Sequence, residues 1–221
     1  MKQQPFKLPN DSQRTIVIGK TGSGKTQAAT WLLSQKRFDK RPFHILDFKR
    51  DKLINNIPGT QYHELGDKLP KKPGLYITQP IPGEEENVEK FLWDIWASEK
   101  RGLFLDETYM VDRNSKGLLA LLTQGRSKQI PIIMCTQRPT GISRFCFSES
   151  EFVYLFYLND ERDKKTVREF VPFDISKPLP EYHGYWYDSP RNASFVMKPV
   201  PSEDEILDTF HEKLAYKRHV I

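Results

Sequence analysis

The order of apolar runs predicts an α/β fold whose central sheet is largely parallel and covered on both faces. Three observations carry this. Strand-like and helix-like segments alternate, one run at 151–158 (EFVYLFYL) is uninterruptedly apolar after its opening Glu151, and a glycine-rich loop separates the first strand from the first helix. A strand buried on both faces reads as a continuous apolar run because neither face meets water.

Taken in order, residues 14–18 (RTIVI) are rich in β-branched residues and end at Gly19, and from about Lys25 the segment TQAATWLLSQ turns helical. FHILD at 43–47 is the second strand; the charged run KRDK follows, then a Pro/Gly-punctuated stretch to residue 74 with weak periodicity. LYITQ at 75–79 is the third strand. Past Pro82 and Gly83, acidic residues open a helix whose Val88, Phe91, Leu92, Ile95 and Trp96 keep the 3, 4 spacing of one helical face. GLFLD at 102–106 is the fourth strand, SKGLLALLTQG at 115–125 a helix, and IPIIMCT at 130–136 the fifth strand. EFVYLFYL at 151–158 is the sixth, followed by a charged helix from about Glu161 to Phe170. GYWY and SFVMK flank DSPRNA as an antiparallel edge hairpin. Ser202 with Glu205 three residues later is a capping box that opens a terminal helix over about 203–216. Its acidic start and basic end suit the helix dipole; its apolar Ile206, Leu207, Phe210 and Leu214 pack on the chain itself or dock on a partner.

At 221 residues the chain is within the size of one core, so residues 1–221 are expected to form a single domain, with a core over about 12–175 and peripheral hairpin and helix over about 176–221. A hydrophobic fraction of 38% against 29% charged residues excludes a disordered chain. A net charge of +5 permits a polyanionic partner without demanding one. Cys135 and Cys146 are too few for a disulfide scaffold or a structural zinc site, and the scattered histidines form no H-E-x-x-H, so no transition metal is expected. No run of 18 apolar residues occurs and no signal-peptide pattern opens the chain, so no transmembrane segment of its own and an intracellular setting are expected.

Gly19-Lys20-Thr21-Gly22-Ser23-Gly24-Lys25-Thr26 satisfies G-x-x-x-x-G-K-[ST] between a strand and a helix, the context a phosphate loop requires. Its glycines let backbone N–H groups wrap an anion, the helix N-terminus adds its positive end, Lys25 reaches the β/γ-phosphates and Thr26 offers a hydroxyl to Mg²⁺. The pattern predicts binding of a nucleoside triphosphate, ATP, with Mg²⁺. In GLFLDE the strand delivers Asp106 to the carboxyl edge of the sheet, where it suits the Mg²⁺ water shell. Glu107 then orients and deprotonates the attacking water, and an adjacent Asp-Glu pair suits hydrolysis better than transfer to a small acceptor. Thr136-Gln137-Arg138-Pro139 closes the next strand; on composition alone it is equally a strand stop and a γ-phosphate sensor through the Gln137 amide.

Together, GKTGSGKT, LFLDE and IIMCTQRPTGIS, with GRSKQ just before the last of these, resemble the FtsK-HerA superfamily of DNA-pumping ATPases. In size the chain is most similar to the genome-packaging ATPases of membrane-containing icosahedral viruses. The resemblance covers roughly residues 12–175. It implies a three-layer P-loop NTPase fold of the additional-strand, catalytic-glutamate type, with the sensor strand between the phosphate-loop and Asp-Glu strands. It further implies Asp106 at the metal, Glu107 as catalytic base, Gln137 as sensor, and Arg126 as a finger reaching the neighbouring subunit's nucleotide, with Arg138 and Arg144 as competitors. Family members carry Asp-Pro-Lys after the first helix; here the segment is Asp47-Phe48-Lys49, and Phe48 departs from the usual proline.

The function these features predict is ATP-driven translocation of double-stranded DNA, as in packaging a viral genome into a preformed capsid. The implied partners are further copies of the chain in a hexameric ring, double-stranded DNA, and capsid or portal-vertex proteins; the implied setting is the host cytoplasm during assembly and the packaging vertex of the virion. An assembly or secretion ATPase of filamentous-phage type and a small-molecule kinase are the alternatives. Lys49, Arg50, Lys52, Arg113 and Lys116 follow strand ends and either meet DNA phosphates or form an ordinary solvated face. Tyr185, Trp186 and Tyr187 read as packing residues rather than a base-stacking platform.

Overall fold

The computed structural model describes residues 5–216, among which nine strands form one mixed sheet. In chain order the elements are β1 (Arg14–Ile18), α1 (Lys25–Ser34), β2 (Pro42–Asp47), α2 (Lys52–Asn55), β3 (Thr60–Tyr62), β4 (Gly74–Thr78), α3 (Glu85–Ser98), β5 (Gly102–Asp106), α4 (Lys116–Gln124), β6 (Ile132–Thr136), α5 (Phe145–Ser148), β7 (Phe152–Leu155), α6 (Glu161–Arg168), β8 (Gly184–Asp188), β9 (Ala193–Met197) and α7 (Glu203–Tyr216). The strand order is β3-β4-β2-β5-β6-β1-β7-β8-β9. Pairing is parallel from β3 to β7 and antiparallel from β7 through β8 to β9. β6, which leads into Gln137, lies between β1, which leads into the glycine-rich loop, and β5, which ends at Asp106, the order that the additional-strand resemblance implies.

Successive side chains of a strand point to opposite faces, so each central strand feeds two cores. Ile16 and Ile18 of β1, with Leu103 and Leu105 of β5, pack under α3 and α4 through Val88, Phe91, Leu92, Leu118 and Leu121. Val17 and Phe104 turn the other way, toward Ala28, Leu32 and Leu33 of α1 and Ile206 and Phe210 of α7. The result is a helix–sheet–helix sandwich, with every residue of β1, β2, β4, β5 and β6 buried.

Three sequence readings need correction. The run at 151–158 is strand only over Phe152–Leu155; Phe156 adds one last hydrogen bond to Ile18, and Leu158 stays buried past the strand's end, where its apolar character reports packing. The fifth strand opens at Ile132, after Pro131, which lacks the N–H a ladder needs. The weakly periodic stretch before residue 74 holds α2 and β3, both too short to show a period.

The terminal helix occupies the predicted range and packs on its own chain, with the Phe210 ring 5.4 Å from that of Phe38 and Lys213 Nζ 3.3 Å from the Lys36 carbonyl. The basic residues Lys217 and Arg218, which follow it in sequence, lie outside the described residues. Trp186 is buried and its ring lies 5.2 Å from Phe152, while Tyr185 lies 4.8 Å from Phe173, so this aromatic run is packing.

Candidate nucleotide site

The phosphate loop joins the carboxyl end of β1 to α1, and two of its glycines have geometry that bears on the site. The Gly19 N–H donates to the Thr136 carbonyl at 3.2 Å, tying the loop to β6, and a Cβ on Gly19 would come within 2.8 Å of Phe156 Cβ. Gly24 caps α1 at φ 85, a left-handed conformation that glycine adopts without steric cost. No side chain accepts from the first turn of α1 and no acidic residue stands there. The leading N–H groups of that helix are therefore available to an anion, and the helix dipole favours one.

Around this loop the parallel sheet gathers residues from four strand ends. Lys25, almost fully buried, donates through Nζ to Glu107 Oε1 at 2.9 Å, and Lys49 Nζ, from the loop after β2, meets the same oxygen. Glu107 sits at φ 53, a left-handed backbone for a non-glycine residue, of the kind that concentrates at functional sites. Gln137 accepts from the Thr21 hydroxyl and donates through Nε2 to the Tyr109 hydroxyl at 3.2 Å. The Gln137 amide is thus strung between the phosphate loop and the turn after Glu107. Thr26 follows Lys25 in the first turn of α1, half-buried. Lys20 and Gly22 lie on the exposed lip of the loop, and Ser23 is buried with its hydroxyl unpartnered.

Two buried aspartates stand side by side at the ends of β2 and β5, and their surroundings separate their tasks. Asp47 accepts from the Asp51 N–H at 3.1 Å and from Gln79 Nε2 at 3.1 Å, which closes the loop before α2. Asp106 is buried with neither carboxylate oxygen satisfied. Burial, reinforced by the neighbouring Glu107 and Asp47, outweighs Lys25 and Lys49 and pushes its carboxyl up to about 7. An orphaned buried carboxylate beside a phosphate loop fits a divalent cation's water shell, which would satisfy those oxygens and favour their ionised form.

The three arginines part company. Arg138, exposed, follows β6 on the phosphate-loop side. Arg144 is engaged within the chain, 2.6 Å from Glu169 and 5.0 Å over the Phe170 ring. Arg126 lies at the opposite end of the sheet, before β6 begins, with its side chain 68% exposed and Nη1 3.9 Å from Glu151. It lines an open polar concavity with Arg41, Asp11 and Gln129. Since β1 is five residues long and the phosphate loop follows its far end, the strand holds Arg126 roughly 13 Å or more from its own loop.

Sequence reasoning missed two members of the site. Lys49 was one of several basic residues assigned to DNA or to solvent, yet its ammonium lies on Glu107. Tyr109 belongs to no motif and reaches Gln137 only because a short 3-10 turn over Thr108–Met110 follows Glu107.

No family model matches the chain. It is 45% identical over 216 residues, 93% of its length, to the DNA packaging ATPase P9 of Enterobacteria phage PRD1, covering 95% of that protein. Among solved structures it resembles the genome packaging NTPase B204 of Sulfolobus turreted icosahedral virus 2 in complex with AMPPCP, at 15% identity and a TM-score of 0.71, over 87% of this chain and 100% of that one. The DNA-packaging ATPase B204 of Sulfolobus Turreted Icosahedral Virus superposes with a TM-score of 0.68 at 17% identity, over 87% of this chain and 99% of that one. At such identities the likeness to the two B204 structures is one of fold.

Proposed function

The chain belongs to the viral DNA-packaging ATPases of FtsK-HerA type, and from that membership we propose how its residues divide the work. It is an ATPase that couples hydrolysis to translocation of DNA. The observation that carries the residue assignment is the unpartnered Asp106 beside Glu107, across the sensor strand from an α1 N-terminus that no side chain caps.

Gly19 to Thr26 bind the phosphates, and Lys25 leaves Glu107 to meet the β/γ-phosphate oxygens. Thr26 and Asp106 would hold Mg²⁺, which would supply charge neutralisation to the triphosphate. Glu107, released from Lys25, orients the attacking water and accepts its proton, and Gln137 reports the γ-phosphate to Thr21 and Tyr109. Arg126 serves a neighbouring subunit's site, because its place at the far end of β1 leaves it no route to its own.

This division calls for head-to-tail copies of the chain, which close into a ring; we assign a hexamer of one-domain subunits spanning residues 1–221. No helix among the described residues is long and apolar enough to cross a membrane. We place the motor in the host cytoplasm during assembly and at the packaging vertex, against capsid or portal proteins. Double-stranded DNA runs past the loops after β2 and β5, where Arg50, Lys52, Arg113 and Lys116 are exposed. Of the acids interleaved with them, Asp51 caps α2, accepting from the Leu53 N–H at 2.9 Å, and Asp112 accepts from the Asn114 N–H at 2.8 Å.

The test is ATP turnover of size-fractionated protein, with and without long double-stranded DNA, across a salt series. Stimulation confined to a hexamer-sized species and lost as salt rises is expected. Full activity of a monomer, indifferent to DNA, overturns the motor reading.

A further inference from the structure

A second concavity adjoins the phosphate loop on the side away from Glu107. Gly24, Gln27, Phe156, Tyr182, Pro199 and Val200 line a slot of about 310 Å³. Its place follows from the topology. β1 has β6 on one side and β7 on the other, and the hydrolytic residues Asp106, Glu107 and Gln137 all stand at the ends of β5 and β6. Phe156 directly follows β7, with its N–H donating to the Ile18 carbonyl at 2.8 Å, so the slot opens on the β7 side of the loop. A triphosphate whose γ end lies against Glu107 sends its nucleoside toward that side.

The lining suits a planar ring. Tyr182 is 48% exposed, at the tip of a turn closed by the His183 N–H donating to the Pro180 carbonyl at 3.0 Å. Its backbone is left-handed at φ 57, and a Cβ placed on Gly24 would lie 3.3 Å from its ring carbon Cδ1. The facing wall is the proline-rich segment after β9, which Gln27 ties to α1 by donating through Nε2 to the Pro201 carbonyl at 2.7 Å. Gln27 is the one side chain of the slot with an amide, and one of its two N–H groups is committed to that wall.

We propose that this slot is the nucleobase site of the ATPase, with the Tyr182 ring as its stacking face. It takes a planar base ring and does not discriminate by the pattern of polar groups on the ring's edge. The proposal rests on the nucleotide reading of the phosphate loop and extends it to residues outside every motif. Stacking is tolerant because each base offers a π-face, whereas strong discrimination requires a site built to hydrogen-bond the base edge.

The experiment compares binding of Mg-ADP, Mg-GDP and Mg-tripolyphosphate to the full chain and to Tyr182→Ala and Tyr182→Phe, by calorimetry. Tyr182→Ala is expected to weaken ADP about tenfold while leaving tripolyphosphate unchanged, since only the first carries a base. Tyr182→Phe should stay within about twofold of the parent, and ADP and GDP within about tenfold of each other. Equal weakening of ADP and tripolyphosphate by Tyr182→Ala overturns the proposal, because Tyr182 would then be supporting Gly24. An unchanged ADP affinity in Tyr182→Ala, or rejection of GDP by about a hundredfold, also overturns it and leaves the ATPase standing. Failure of the unaltered chain to bind tripolyphosphate overturns the phosphate-loop reading and this one with it.

Discussion

Glu107 Oε1 receives two ammonium groups, from Lys25 and Lys49, and the proposed binding of phosphates draws Lys25, the lysine of the phosphate loop, away. Lys49 is then the cation left to fix the carboxylate toward water, a positioning task that the sequence alone, placing it among lysines and arginines after β2, could not separate from a DNA contact. Lys49→Ala should therefore lower DNA-independent kcat about tenfold with KM little changed. If turnover holds while the salt dependence of DNA binding weakens, Lys49 belongs to the DNA instead. The phosphate loop, Asp106, Glu107 and Gln137 were legible because each sits in a contiguous strand-end motif; Lys49 and Tyr109 arrive from separate loops, and only the folded sheet brings them together. A second residue-scale consequence lies away from the site. His44 is buried, with Nε2 3.2 Å from Arg101 Nη1 and its ring stacked 5.5 Å from Tyr76. Burial first, then Arg101 and His63, pushes its pKa down to about 3, against about 6.5 in the unfolded chain. Between those values the unfolded chain takes a proton that the folded one refuses. His44 thus gives full stability above about pH 6.5, and that stability falls by about 1.4 kcal/mol per pH unit as the pH drops toward 3. Urea midpoints of the parent should fall between pH 7 and pH 5 more steeply than those of His44→Gln, which offers an acceptor that does not protonate there; parallel slopes would remove His44 from the acid response.

At the scale of elements, β1, β7 and α4 are locked at the edge opposite the phosphate loop by one buried cluster. Glu151 accepts from the Arg14 backbone N–H at 2.7 Å, from Arg14 Nε at 3.1 Å and from Nη2 at 2.7 Å, while Arg14 Nη1 donates to the Leu122 carbonyl. Removing Glu151 leaves the buried Arg14 charge with only the half-exposed Glu149, 3.8 Å away, so Glu151→Ala should cost about 3 kcal/mol in chemical unfolding. A loss under about 1 kcal/mol would mean that water reaches Arg14. The periodic elements α3, α4 and α7 were legible because their apolar spacing repeats over two turns or more, and α7 also announces its start with Ser202 and Glu205, whose side chains exchange hydrogen bonds with each other's backbone N–H as a capping box does. The four-residue α2 and α5 and the three-residue β3 carry no repeat to detect. The apolar run at 151–158 overshot its strand because burial continues past the last ladder pair at Leu155.

At the scale of the molecule, the proposed finger and the site it would serve occupy opposite ends of β1. Arg126 stands beside Glu151 where β1 and β7 begin, and Glu107 and Lys25 stand where β5 and β1 end. One copy cannot bring the two together, but copies arranged head to tail present the Arg126 edge of one to the phosphate loop of the next, and such a heterologous contact closes into a ring when the rotation allows. The sequence suggested a finger by resemblance; the distance along the strand explains why it must act between copies if it acts at all. Two variants with separate defects test this. Glu107→Gln should bind ATP but lose about a hundredfold in turnover, and Arg126→Ala should lose about as much by withdrawing charge stabilisation from the neighbour. In a random equimolar mixture, a site that keeps Glu107 and borrows Arg126 from a Glu107→Gln neighbour arises about one time in four by the pairing that a head-to-tail ring imposes. Mixing the two inactive proteins should therefore restore about a quarter of the parent's turnover per subunit. A mixture no more active than its components, with oligomer size confirmed by sedimentation, would remove Arg126 from the chemistry and pass the role to Arg138, which stands on the phosphate-loop side and would have to act by a different contact between subunits.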